Sequence, residues 1–291
     1  MTDASISLAA PKSPGWELLL LLIRRKSVLF GLIVLAVMFS AGILAPLLAP
    51  YDPQRLSVVA RLIPPGPAHW FGTDELGRDV LSRVMHGGQL SLLVGFSVVV
   101  FASVFGIVLG LLAGFFRPAD QAISRLLDAM MAFPDILLAI ALVAALRPSV
   151  TNVVLALGVV YTPRIARVVR ASTLVIRELP FVEAATALGV PTWRILFVHI
   201  LRNLVSPLLV QGTFIFAYAI LAEAGMSFLG VGVSASVPTW GGMISAGRGY
   251  IGAADWIILF PGLAIILSVL SLQLVGDGLR DVLDPRLRKV L

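Results

Sequence analysis

Between Gly87 and Phe116 the chain carries no charged residue, and a second such run extends from Ser27 to Pro50, 24 residues. Runs of this length suit a helix crossing a hydrocarbon layer about 30 Å thick, at about 1.5 Å of rise per residue. Similar apolar stretches recur to the end of the chain. Only 13% of the residues are charged, whereas a soluble domain carries about 25%. A bilayer is therefore the solvent, and 291 residues leave room for roughly six spans of about 20 residues with their loops. No polar stretch is long enough to form a separate soluble domain.

Arg24-Arg25-Lys26 precede the first run, as in a signal peptide, but the run is longer than the about 7–15 residues of a secretory core. It reads as a retained first span, Val28 to Leu48. Beyond a loop at 51–88, the second span lies within Gly87–Phe116, and Asp74 is expected to cap a short surface helix before it, with Leu76, Val80, Leu81 and Val84 on one face. Gly106, Gly110 and Gly114 recur every four residues, either to admit another helix closely or because an apolar helix tolerates them. The third span is expected at Leu126–Leu146, with Asp128 and Asp135 near its start around Pro134. The helix dipole favours that placement over a proton relay. A turn at Arg147-Pro148 leads to a fourth span, Thr151–Val169. The fifth is Leu204–Phe228, containing Gln211 and Glu223, and the sixth is Trp256–Gly276. A glycine-rich loop at 229–255 joins them.

The net charge of +6 is placed by orientation. On this map 16 of the 22 Lys and Arg residues fall on one face: 4 in the N-terminal segment 1–27, 2 between the second and third spans, 6 from Arg164 to Arg202, and 4 in the tail 277–291. The positive-inside rule makes that face cytoplasmic and both termini with it, so the surplus needs no nucleic-acid partner. Cysteine is absent, which excludes a disulfide framework and a thiolate metal site or nucleophile. His69, His86 and His199 fall outside the expected spans, and Ser227 lacks a Gly-x-Ser-x-Gly setting, so an intramembrane hydrolase is disfavoured. Glu223 inside a span is costly in lipid and belongs at a helix interface or on an aqueous path; Gln211 is its polar companion.

The insert at 170–203 is the departure from this pattern. Its core, "RELPFVEAATALGVPTWRILFVHILRN", reads as two helices. The first holds Glu183, Ala184, Ala185, Ala187 and Leu188 and stops at Gly189, a residue type suited to a left-handed helix end. The second begins near Pro191 and sets Trp193, Leu196, Phe197, Ile200 and Leu204 on one apolar stripe. That stripe can bury itself in the membrane domain. The small residues around Glu183 cannot, and suit either a partner's groove or a solvated connector.

"EAATALG" followed by "HIL" resembles the EAA loop of permease subunits of bacterial ABC importers. "HWFGTDELGRDVLSRVMHGGQLSL", "EAGMSFLGVGV", "PTWGGMI" and "VGDGLRDVLDPRLR" resemble the C-type permease of the dipeptide, oligopeptide and nickel branch. The resemblance implies an all-α inner-membrane protein of six spans, 28–276, with a cytoplasmic coupling insert between the fourth and fifth. It implies ATPase coupling through Glu183, Ala184, Ala185, Ala187 and Gly189, with Glu223 and Gln211 as pore or helix-interface candidates. It also implies four partners besides lipid: a second permease, two ATP-binding subunits and an extracytoplasmic solute-binding protein. The chain itself is expected to bind no cofactor, with ATP and Mg2+ held by the ATPases. None of Lys12, Lys26 and Lys289 sits in a phosphate-binding loop, in keeping with that expectation. Peptides are the implied cargo, nickel or another small solute the alternative, and a self-sufficient secondary carrier the reading from another class. Where the family pattern has proline after Ile-Leu, this chain has Arg202.

Overall fold

The computed structural model describes residues 21–233 and 237–283. Residues 1–20 of the N-terminal segment, 234–236 of the last loop and 284–291 of the tail, Lys12 and Lys289 among them, lie outside the described residues. Within those described, helices α1 (Lys26–Ile43) and α2 (Ala45–Leu48) lead through a long loop to α3 (Val80–Phe115). Then come α4 (Arg117–Met131), α5 (Asp135–Leu146), α6 (Val150–Ile176) and α7 (Pro180–Ala187). A helical stretch Thr192–Phe228 ends in the regular helix α8 (Val205–Phe228), followed by α9 (Trp240–Gly247) and α10 (Trp256–Leu283). The described residues contain no strand. Five helices are long and apolar enough to cross a membrane, and α4 with α5 form a bent pair that would make a sixth crossing.

The glycine stripe sets the central packing. A Cβ on Gly106 would lie 2.7 Å from Cβ of Ile165, one on Gly110 2.5 Å from Cβ of Val169, and one on Gly114 2.5 Å from Cβ of Thr173. Hydrogen in place of a methyl at each step lets the α3 backbone lie against β-branched side chains of α6. Later glycines meet later residues, so α3 and α6 run parallel, and the chain must return between them. That return is α4–α5, bent by 91°. The third span, expected at Leu126–Leu146, is therefore corrected to parts of two helices with the bend between them. Pro134 has no N–H to continue α4 and pushes Phe133 away from helical backbone, so it caps a new helix beginning at Asp135. Asp128 sits near the end of α4, not at a helix start.

The surface helix before the second span is also absent as such. Val80, Leu81 and Val84 are the first turns of α3 itself, and Asp79, not Asp74, caps it by accepting from the Ser82 N–H at 2.8 Å. No breaker separates Val80 from the apolar run. Gly88 is needed there because a Cβ would meet the Trp240 ring at 2.9 Å. Asp74 instead ties the loop together, accepting from the N–H groups of Leu76 and Arg78 and from Nε of Arg78 at 2.6 Å. Gly72 and Gly77 take φ of +74° and +72° on either side. Trp256 of α10 donates to the Thr73 carbonyl at 3.0 Å, and Phe71 stacks on Phe260 at 3.8 Å. The motif from Gly72 to Asp79 is thus a folded knot fixed to α10.

Between α8 and α10 the glycine-rich segment, read as a loop at 229–255, forms α9. Thr239 caps it by accepting from Gly242 N–H at 3.0 Å, and buried Trp240 donates its indole N–H to the Val84 carbonyl at 2.9 Å. Helix α6 continues to Ile176 and α10 to Leu283, beyond the ends read at Val169 and Gly276: no proline or glycine follows Val169 within α6, and Gly276 and Gly278 keep negative φ while packing against Thr213 and Val28.

If the α3–α6 seam holds the fold, Gly110→Ala should lower stability by about 1–3 kcal/mol through overpacking. Gly262→Ala, where nothing lies within 4 Å of the new methyl, should leave it unchanged. Thermal unfolding of the two purified variants in detergent measures the contrast.

Candidate functional site

Arg177 ends α6 and donates Nη1 to the Gly114 carbonyl at 2.9 Å, joining the ends of α3 and α6. Pro180 then opens α7, a position where a missing N–H costs nothing. Helix α7 buries Val182 and Ala185 in the main core and exposes Phe181, Glu183, Ala184, Ala187 and Leu188. It is therefore seated on the membrane domain by one face, where the sequence suggested none. Ala185, read as a coupling residue, faces inward, while Leu188 is 83% exposed at the tip. Gly189 has φ of +74°. Its N–H donates to the Thr186 carbonyl and that of Val190 to the Ala185 carbonyl, both at 3.0 Å, the paired bonds of a left-handed helix stop. Nothing lies within 4 Å of a Cβ placed there, so backbone angle alone requires glycine.

The second part of the insert departs from an ideal stripe. Residues Ile195–Ile200 form a π-helix and Leu201–Leu204 a 3-10 turn. The wider i to i+5 turn rotates the buried set to Ile195, Leu196, Ile200 and Leu204 and leaves Trp193 and Phe197 more than half exposed. The chain passes Arg202 without a break and enters α8, where Pro207 occupies the first turn. The insert thus presents Phe181, Leu188, Trp193 and Phe197 outward around Glu183. Sequence periodicity missed the last two because a π turn has no local signature in residue type.

Glu223 lies elsewhere, fully buried where α8 meets α3 and α9. It accepts from Ser227 Oγ at 2.8 Å and from Ser91 Oγ at 3.2 Å, and Ser91 in turn accepts from the Trp240 N–H at 3.4 Å. This hydrogen-bonded chain links three helices, the arrangement a carboxyl group needs away from water. Gln211 is half-buried on the same helix, three turns toward the insert, and is not brought together with Glu223.

A third set of polar groups joins acids of α4 and α5 to arginines of α6. Asp120 of α4 pairs with Arg170 through both oxygens at 2.5 and 2.8 Å, Asp128 with Arg167 at 2.6 Å, and Asp135 with Arg164. Arg164, Arg167 and Arg170 are spaced by three on α6, so one face meets the acids of the bent pair in turn. The spacing was visible in sequence, but the partners depend on the 91° bend.

Comparison with known proteins places this arrangement. Residues 106–289 match the family of binding-protein-dependent transport system inner membrane components, and residues 13–65 match the N-terminal transmembrane domain of oligopeptide transport permease C. A relative from Brucella suis biovar 1, named for a peptide transport system permease, is 49% identical over 267 residues, covering 92% of this chain and 90% of its own. The dipeptide transport system permease protein DppC of Alkalihalophilus pseudofirmus is 45% identical, covering 95% and 91%. The inward-facing methionine ABC transporter MetNI shares the fold at 21% identity with a TM-score of 0.57, over 69% of this chain and 97% of that one. The chain belongs to the binding-protein-dependent inner-membrane permease family, as a C-type permease of the peptide ABC-importer branch.

Glu223→Leu should destabilise the chain by about 1–3 kcal/mol because Ser91 and Ser227 lose their buried acceptor, whereas Glu223→Gln should retain most of the stability. Detergent unfolding midpoints of the two variants check the order.

Proposed function

We propose that the chain is one half of the translocation pore of an ATP-driven importer of di- or oligopeptides in the bacterial inner membrane. It works with a second permease, two ATP-binding subunits that hold ATP and Mg2+, and an extracytoplasmic solute-binding protein. Both termini and the insert are cytoplasmic, with six crossings when α4–α5 counts as one. The observation that carries the reading is α7: a short helix anchored by one face, ended by a rigid glycine stop, and presenting Glu183, small residues and exposed Leu188 to whatever lies beyond the membrane domain. The excess of Lys and Arg on that side supports the orientation.

The geometry offers a route for force. Closure of the ATPases on ATP displaces α7 through its exposed face. Val182 and Ala185 pass the displacement to the core, and Arg177 ties it to the joined ends of α3 and α6. Those helices are locked by the glycine seam and tilt together, which opens the pore toward the solute-binding protein. The peptide reading rests on relatives named for peptide and dipeptide transport.

Two variants test the coupling. Glu183→Lys reverses an exposed charge, and its cost to the fold should stay within about 0.5 kcal/mol. Gly189→Val forces a β-branched residue into positive φ, which is strongly disfavoured, and changes the angle at which α7 leaves the domain. Expressed with their partners, both should reach the membrane while ATPase co-purification or peptide uptake falls. Normal uptake by both at wild-type abundance would make the insert a mere connector, and ion-driven uptake by this chain alone would favour a secondary carrier. A reporter fused after Gly66 should read extracytoplasmic and one at Val190 cytoplasmic.

A further inference from the structure

Arg164 lies about 21 Å along α6 from Val150 and about 18 Å from Ile176, at 1.5 Å per residue, close to the middle of the helix. Its guanidinium pairs with Asp135, sits 5.4 Å from the ring centre of Tyr161 and 5.0 Å from that of Tyr218, and the Tyr161 hydroxyl donates to the Tyr218 carbonyl at 3.4 Å. The pair is not enclosed: the side chains of Arg164 and Asp135 are 32% and 35% exposed, and Tyr218 is 44% exposed. Lipid is a poor neighbour for charges at this depth, where each costs about 2.5–3.5 kcal/mol or more. On the cytoplasmic side of the pair there is no α5, which begins at Asp135. The lower half of α6 faces the charged side of α4, so the pairs Asp128–Arg167 and Asp120–Arg170 continue the polar line to the cytoplasmic boundary. Glu223, by contrast, is sealed among three helices.

We propose that this seam is the wall of the solute path, and that Arg164 and Asp135, framed by Tyr161 and Tyr218, form a mid-membrane contact site for the charged ends of a zwitterionic peptide. The inference rests on the pore reading above and names the residues that would carry it. A zwitterion suits the pair because exchange is electroneutral: Arg164 releases Asp135 to take the solute carboxylate, and Asp135 takes the solute ammonium. The two tyrosine rings hold the guanidinium in place by cation–π attraction while its carboxylate partner changes. Hydrogen bonds between a guanidinium and a carboxylate are charge-assisted and bidentate in geometry, so a peptide with a free carboxyl end competes with Asp135 on equal chemical terms.

The chain has no cysteine, so Tyr218→Cys gives a single thiol on this subunit. In the complete transporter reconstituted in liposomes, a permanently charged methanethiosulfonate should label that thiol, and excess dialanine should slow the labelling. The double variant Arg164→Gln/Asp135→Asn removes both charges and leaves neither unpaired, so the complex should assemble with its partners at wild-type abundance. Its dialanine uptake should fall at least about tenfold, the factor corresponding to one lost contact of about 1.4 kcal/mol. Absence of labelling in an assembled complex would place the seam in a dry interface with the second permease and overturn the proposal, as would full uptake by the double variant. Wild-type uptake of dialanine separates the two readings: its absence overturns the peptide function, whereas labelling that dialanine does not slow overturns the site.

Discussion

Three glycines of α3 lying against Ile165, Val169 and Thr173 of α6 are the contact from which the rest of the architecture follows. Backbone approach at this distance depends on the missing Cβ atoms, since lipid offers no hydrophobic drive to press two apolar helices together and packing must do it. The contact fixes α3 and α6 parallel. A parallel pair forces an intervening return, and the return has to be made by a segment containing Pro134. The bend there follows from proline chemistry, and the acids of α4 and α5 consequently meet Arg164, Arg167 and Arg170 of α6.

The polar groups inside the apolar body sort into two kinds by their surroundings. Glu223, Ser91 and the Trp240 backbone form a closed set of hydrogen bonds that fastens α3, α8 and α9. The Asp–Arg pairs along α6 are open on one side. Outside the spans, Asp74, Arg78 and Gly77 fold the first loop into a knot that Trp256 and Phe260 hold against α10. That knot explains why a loop needs so particular a string as Gly-Thr-Asp-Glu-Leu-Gly-Arg-Asp: two positive φ angles, one carboxylate accepting several donors, and one helix cap.

Long-range patterns were legible in the sequence, and local geometry less so. Charge-free runs marked most of the spans because hydropathy is a sum over about twenty residues and survives errors at either end. Gly189 was legible as a helix stop because its residue type and its φ are linked by sterics. The stripe on the second insert helix was misjudged at Trp193 and Phe197, since residue type does not announce a π turn, and the burial of Ala185 was not legible because alanine suits either face of a helix. Asp128, Asp135 and the three arginines were visible as charges, but their pairing needed the bend, which only the folded chain supplies.

The central claim is that ATPase motion enters this subunit through α7. Its most direct measurement is a cross-link from a single cysteine at position 188, the exposed tip of that helix, in the otherwise cysteine-free chain, with a short maleimide photoreagent in the assembled transporter. The account predicts an adduct with an ATP-binding subunit, in a yield that changes when ATP is added. An adduct-free tip in a complex that hydrolyses ATP and imports its solute would contradict it.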